Sequence, residues 1–232
     1  MAIESMKVKP DGVQFGRIEE EFFYNHPDGI VIGIDEAARG TLVGSMHAAA
    51  VALDAKAFSE LQHVAIDSKK TRTPEQRKAL QEIITGRSVA YANDNIPAKI
   101  INEGLNLDIL NLQAMQGALD SVLSQINNQH ILVLCDATRL PPQFKGKPVP
   151  TTEKGEAHHV SVASASILAK YAFDLEIMQL HLKYPRYKFL QHSGYATKSH
   201  LGKIRTLGYL PEHRIVYKTF TGMKPNNTIT KQ

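Results

Sequence analysis

At 232 residues and 43% hydrophobic content, with a net charge of +4 and an isoelectric point near 9.0, the chain can bury a full core as one large domain or a domain with an appendage. This excludes a disordered chain and a miniature scaffold held by staples. A single cysteine, Cys135, leaves no internal disulfide, no apolar stretch of signal-peptide length opens the chain, and the longest apolar candidate, 48–53, falls far short of the roughly 18–20 residues of a membrane span. The expectation is therefore a soluble, cytoplasmic protein of a reducing compartment with no membrane attachment.

In chain order, IVIGID at 30–35 and MHAAAVAL at 46–53 read as core strands. A helix follows over TPEQRKALQEIITG: Thr73 is its N-cap, Pro74 suits the first helical position, Gln76 completes a capping box, and Gly86 closes it. SVAYAND at 88–94 is a third strand. Residues 105–126 place Leu112, Met115, Leu119, Val122 and Ile126 at three- and four-residue spacing, the pattern of an amphipathic helix. HILVLCD at 130–136 is a short apolar strand ending, like the first, on an acid.

Sites in open α/β sheets form outside the carboxyl ends of strands, so Asp35 and Asp136 can meet at one edge. Two such carboxylates repel unless one is protonated or a cation lies between them. Oxygen ligands without a Cys/His cluster favour Mg²⁺ or Mn²⁺ over zinc. A single acid at a strand end is more often a turn or cap residue; the repetition is what singles these out.

Further along, IDSKKTRTPEQR sets Lys69 and Lys70 before a helix start, where cations and free backbone donors can meet phosphate. EKGEAHHVSVASASILAKYAFD offers Glu156, then a helix of small residues bearing Ser166, Lys170 and Asp174, and FLQHSGYATKSHL places His192 and Tyr195 around a glycine before a helix capped by Thr197. From Ile177 to Pro211 there is no acid, while Lys183, Arg186, Lys188, Lys198, Lys203 and Arg205 alternate with Tyr184, Tyr187, Phe189, Tyr195 and Tyr209. Cations beside rings that can stack make a nucleic-acid footprint; a solvated basic helix face over core aromatics is the competing reading.

GIDEAARGTLVG, DSKK, LCDATR, KGE, ASILAK, FLQHSGYATKSHL and LGYLPEHR, in this order, resemble the motifs of ribonuclease HII, the type 2 ribonuclease H, from about Ile30 to Tyr217. The resemblance implies a ribonuclease H-like α/β fold. Its mixed five-stranded sheet, with the fifth strand near 148–152, would be flanked by helices and followed by a basic helical C-terminal extension from about 177. That organisation gives a catalytic domain over 1–217 and a flexible polar tail over 218–232. It also implies cleavage of the RNA strand of RNA/DNA hybrids, and of DNA 5′ to an embedded ribonucleotide, by a protein expected to be a monomer. Two divalent ions, Mn²⁺ or Mg²⁺, would be held by Asp35, Glu36, Asp136 and Glu156. Glu36 would point away from Asp35 in an ideal strand, so the strand is expected to stop there. Ala38, Arg39 and Gly40 would present backbone donors to the ribonucleotide, and Tyr195 would pack on the neighbouring sugar. Lys69, Lys70, Arg139, Ser166, Lys170 and His192 complete the expected substrate contacts.

The chain departs from the family pattern where Ala38 replaces a glycine, where Ala137-Thr138 follows Asp136 in place of Gly-Asn, and where Glu156 stands for an aspartate. If Ala38 needs a positive φ, its methyl costs roughly 1–2 kcal/mol. A catalytically weakened nucleic-acid-binding paralogue, and an enzyme with Asp174 as the fourth ligand, remain alternatives.

Overall fold

A computed structural model describes residues 15–64, 73–135 and 159–226. Lys69, Lys70, Asp136, Arg139, Glu156 and the expected fifth strand lie outside them. Four strands form one sheet among the described residues: β1 (Ile30–Ala37), β2 (Met46–Leu53), β3 (Ala90–Ile96) and β4 (Ile131–Cys135), in the order β3-β2-β1-β4. β1 runs antiparallel to β2 and parallel to β4, and β2 runs antiparallel to β3. Both central strands are buried on both faces, which explains their continuous apolar sequences.

Helix α1 (Arg17–Asn25) precedes the sheet, α2 (Ala55–Leu61) and α3 (Pro74–Arg87) join β2 to β3, and α4 (Ala98–Ile101) and α5 (Leu107–Leu123) join β3 to β4. The long α6 (Val160–Lys183) and the shorter α7 (Lys198–Leu207) follow. The capping box of α3 forms as its sequence predicts, with Thr73 Oγ1 accepting from the Gln76 N–H and Gln76 Oε1 from the Thr73 N–H, both at 3.2 Å. Gly86 does not end the helix; Ser88 is the C-cap.

Two apolar layers enclose the sheet. Val31, Ala37, Ala49, Val51 and Leu53 pack against α6 on one face, and Ile32, Ile34, Ala48 and Ala50 pack against α5 on the other. At Gly33 a Cβ would come within 2.0 Å of the Ser161 backbone, so only glycine lets the start of α6 cross β1 so closely. That start is held by α1: the fully buried Glu19 carboxylate accepts from the Val160 N–H at 3.1 Å, the Ser161 N–H at 2.8 Å and Ser161 Oγ at 2.7 Å. These are charge-assisted bonds to the positive end of the helix dipole, supplied by another helix because the N-cap residue, His159, provides no side-chain bond. From there α6 runs past the carboxyl end of β1, and Phe173 and Ile177 pack with Ala38 and Val43.

Within the described part of the expected tail, 218–226, one side chain is buried. Lys218–Phe220 makes a 3-10 turn, and Phe220 is buried with Leu42 and Ile204. Among the described residues no helix is long and apolar enough to cross a membrane.

Candidate active site

β1 does not stop at Asp35. It stays paired through Ala37, with Asp35 opposite Ala49, Glu36 opposite Ala48 and Ala37 opposite His47. The expectation that the strand ends to swing Glu36 round is therefore corrected. The alternation of an intact strand sends Asp35 toward the α6 face and Glu36 toward the α5 face. Asp35 is 4% exposed, and its Oδ1 accepts the Glu36 N–H at 2.8 Å. In the parallel register Cys135, the last described residue of β4, lies beside Ile34, the residue before Asp35.

The chain then turns sharply. Ala38 has φ 68°, the left-handed conformation whose strain the sequence made conditional on geometry. Beyond it, a Cβ on Gly40 would meet nothing within 4 Å, so the tip of the turn faces open space. Arg39 forms an ion pair with Asp108 at the start of α5, but both side chains are about half exposed or more, and such pairs add little. Beneath the turn lies a set of groups that sequence reasoning missed. Arg214, fully buried, donates from Nη1 to Ala38 O at 2.7 Å and to Arg39 O at 3.1 Å, and from Nε to Gly44 O at 2.9 Å. From α6, Glu176 accepts from the Ser45 N–H at 2.9 Å, Ser45 Oγ at 3.0 Å and His47 Nε2 at 2.7 Å. Burial pushes this carboxyl upward, but the bonds from His47 and Ser45 outweigh it and hold its pKa below the usual value.

The turn is joined on both sides to the C-terminal segment. Leu42 N–H donates to Gly194 O at 2.8 Å, Arg214 N–H to Leu42 O at 2.8 Å and Gly44 N–H to Glu212 O at 3.0 Å, and Val43 bridges to His213. Tyr195, 43% exposed, stands on this frame. His192 lies buried under it, donating to Tyr187 O at 3.1 Å and stacked on His200 with ring centroids 4.2 Å apart. Its contribution is to the loop's foundation, with no exposed face for substrate.

The bonds of the histidines fix their tautomers. Leu210 N–H donates to His213 Nδ1 at 2.8 Å, which puts the His213 proton on Nε2. That proton points at His200 Nε2, 3.1 Å away, and His200 in turn donates from Nδ1 to the Tyr195 carbonyl at 3.0 Å. An added proton would set donor against donor. Burial is the main reason that His200 is pushed down to about 4 and His213 to about 3, with neighbouring imidazoles adding to it.

Ser166 is buried on α6, and Lys170, one turn on, pairs with Asp174 at 2.8 Å. Asp174 is also paired with Arg77, so both its oxygens face cations, which argues against the reading that makes it a metal ligand. The basic segment separates into two parts. Arg186, Lys188, Lys198 and Lys203 line an open cleft of about 580 Å³, whereas Tyr184, Tyr187 and Phe189 are buried core. Of the expected stacking rings, Tyr195 is the one the structure leaves most accessible.

Among the described residues no three Asp, Glu, His or Cys side chains are grouped to hold a metal. Asp35 and Glu36, on opposite faces of the strand, each offer hard oxygen donors of the kind that suit Mg²⁺ or Mn²⁺, and the nearby His47 is committed to Glu176.

A mixed sheet between two helical layers, with carboxylates at its carboxyl edge, defines an α/β protein of the ribonuclease H type. The crystal structure of ribonuclease H2 from Pyrococcus horikoshii matches with a TM-score of 0.70 at 25% identity, over 83% of this chain and 95% of that one. That of Bst-RNase HIII in complex with Mn²⁺ matches with a TM-score of 0.69 at 20% identity, over 84% and 68%. The ribonuclease HII family model matches residues 32–220, and the ribonuclease HII of Phocaeicola vulgatus is 37% identical over 196 residues, 84% of this chain and 92% of its own. The chain belongs to the ribonuclease HII family and is an enzyme of the ribonuclease H type.

Proposed function

We propose that the chain is a metal-dependent endoribonuclease of the cytoplasm. It acts as a monomer on the RNA strand of RNA/DNA hybrids and on DNA 5′ to an embedded ribonucleotide. The observation that carries this reading is the adjacency of two different devices: the carboxylates of buried Asp35 and half-buried Glu36 at the end of β1, and directly after them a left-handed turn tied through Leu42 and Gly194 to the exposed Tyr195. One can cut and the other can read.

Asp35 and Glu36, with Asp136 and Glu156, would hold the two divalent ions, whose chemistry is to lower the pKa of a water and to stabilise the leaving oxygen. The register that sets Cys135 beside Ile34, each the residue before an acid in the sequence, supports Asp136 as the third member of this set. The chain's own part is positional. The turn at Ala38, Arg39 and Gly40 offers backbone N–H groups to the ribose and its phosphate, and Tyr195 packs on the neighbouring sugar. Lys69, Lys70, Arg139, Ser166 and Lys170 contact the cut strand or orient the acids, while His192 supports Tyr195 from below. The cations around the cleft at Arg186 and Lys203 attract the phosphate backbone of the duplex.

The test is incubation with a duplex carrying one ribonucleotide, in Mg²⁺, Mn²⁺ or EDTA. Cleavage 5′ to the ribonucleotide in either metal and none in EDTA is expected. A chain that binds this duplex without cutting it would instead be the weakened paralogue.

A further inference from the structure

Arg214 sits fully buried beneath the turn, and among the described residues it has no carboxylate within 4 Å; its described partners are three carbonyls and the Tyr217 hydroxyl. Burial lowers its pKa, while Tyr217, Glu176 and Tyr195 act to sustain its charge. A cation with no role beyond filling space would be replaced at little loss by an apolar side chain. The choice of carbonyls is informative. A peptide unit is planar and trans, so its C=O and N–H point in opposite directions. The Ala38 carbonyl shares a plane with the Arg39 N–H, and the Arg39 carbonyl with the Gly40 N–H. By drawing both carbonyls inward, Arg214 turns both N–H groups outward, toward the open side of the turn. Tyr217 reinforces the second plane by donating to Arg39 O at 3.0 Å. Among the described residues neither outward N–H has an acceptor. The guanidinium also polarises both peptides, which makes their N–H groups stronger donors.

We propose that Arg214, seconded by Tyr217, is the positioning residue that aims the Arg39 and Gly40 N–H groups at the ribonucleotide and so sets the preference for ribose over deoxyribose. This rests on the reading of the turn as the ribose contact given above, and it adds the residue that makes the turn competent. Gly44 O, the third carbonyl held, ties the same cation to the far end of the turn, so one side chain spans it.

The variants are Arg214→Lys, which keeps the charge but cannot span the three carbonyls, and Tyr217→Phe, which removes only a hydroxyl and keeps the test alive if the lysine variant does not fold. Affinity is measured in EDTA for matched duplexes with and without one ribonucleotide. The ratio of the two affinities should fall about tenfold in Arg214→Lys, the scale of a hydrogen bond to a charged group, and by less in Tyr217→Phe. A merely structural role would weaken both duplexes in proportion and leave the ratio unchanged, which would overturn the proposal. The substrate-free protein gives a second reading: the amide resonances of Arg39 and Gly40 should move in Tyr217→Phe, and unmoved resonances would also overturn it. Wild-type protein that cleaves no ribonucleotide duplex would end the ribonuclease reading alone, since these resonances report the peptide orientation without any substrate.

Discussion

The carboxyl end of β1 and the C-terminal collar of residues 192–217 lie side by side and are built on opposite principles. Asp35 and Glu36 sit on a strand paired on both sides and packed between two apolar layers, so their positions follow from backbone ladders and burial. The collar is set instead by side chains: His213 and His200 in one relay with His192 stacked on it, Arg214 among carbonyls, and Tyr187 donating to Gly208 O at 2.6 Å. Ladders tolerate substitution and acid better than buried polar networks, which need every member in one protonation state. The collar should therefore be the acid-sensitive and adjustable half, and the strand end the invariant one.

The sharpest way to separate the two is Asp35→Asn. Cleavage should fall by orders of magnitude, while affinity for the duplex in a gel shift should largely survive because the collar is untouched. Full activity would remove Asp35 from the site.

The framework can be broken elsewhere. Glu19→Ala leaves the buried Val160 and Ser161 N–H groups without acceptors, and unfolding in urea should show a loss of about 3 kcal/mol. A loss confined to a few tenths would mean that α6 does not need its borrowed cap.

Acid should find the collar first. His200 and His213 bind protons more weakly in the folded protein, at about 4 and 3, than at the usual 6.5. The unfolded chain therefore takes up more protons between those values. The stabilisation is complete above about pH 6.5 and declines as pH falls toward 4, by roughly 3 kcal/mol per imidazole. His200→Gln should flatten this dependence in denaturation measured from pH 7 to 4; an unaltered slope would place the sensitivity elsewhere.

The smallest expected effect is at Ala38. Its φ of 68° suits glycine, so Ala38→Gly should stabilise by about 1 kcal/mol once the greater entropy of glycine is subtracted. Cleavage at a single ribonucleotide should rise if the methyl crowds the sugar. A destabilised variant would show that the methyl packs usefully among Val43 and Phe173.

Much of the fold could be read from the chain because it is written in local signals. The MHAAAVAL strand runs from Met46 to Leu53 as expected, and the Thr73 box and the Thr197 cap both form. The end of β1 was misjudged because an acid pair looks like a stop, whereas β2 continues to pair with it as far as His47. Of the site, Asp35 and the Ala38 turn were visible as motifs. Glu19, Glu176 and Arg214 were not, since each acts on residues more than 125 positions away, and no spacing rule connects a carboxylate in α1 with the start of α6. The aromatics of the basic segment misled in the other direction: their periodicity cannot distinguish a stacking ring from a core ring, and Tyr187 and Phe189 proved to be core.

The central claim is that the strand end cuts and the collar reads, and Tyr195→Ala tests it most directly. The ring is exposed, and the loop that carries it is joined to the turn by the Leu42–Gly194 backbone bond. Initial cleavage rates are compared with wild type on a single-ribonucleotide duplex and on a continuous RNA/DNA hybrid, after circular dichroism confirms the fold. A partial loss is predicted, no larger than the roughly 1–3 kcal/mol of a stacking contact. It should be greater on the single ribonucleotide, with the metal-concentration dependence unchanged. An equal proportional loss on both substrates would contradict the account and make Tyr195 an anchor of the C-terminal helices.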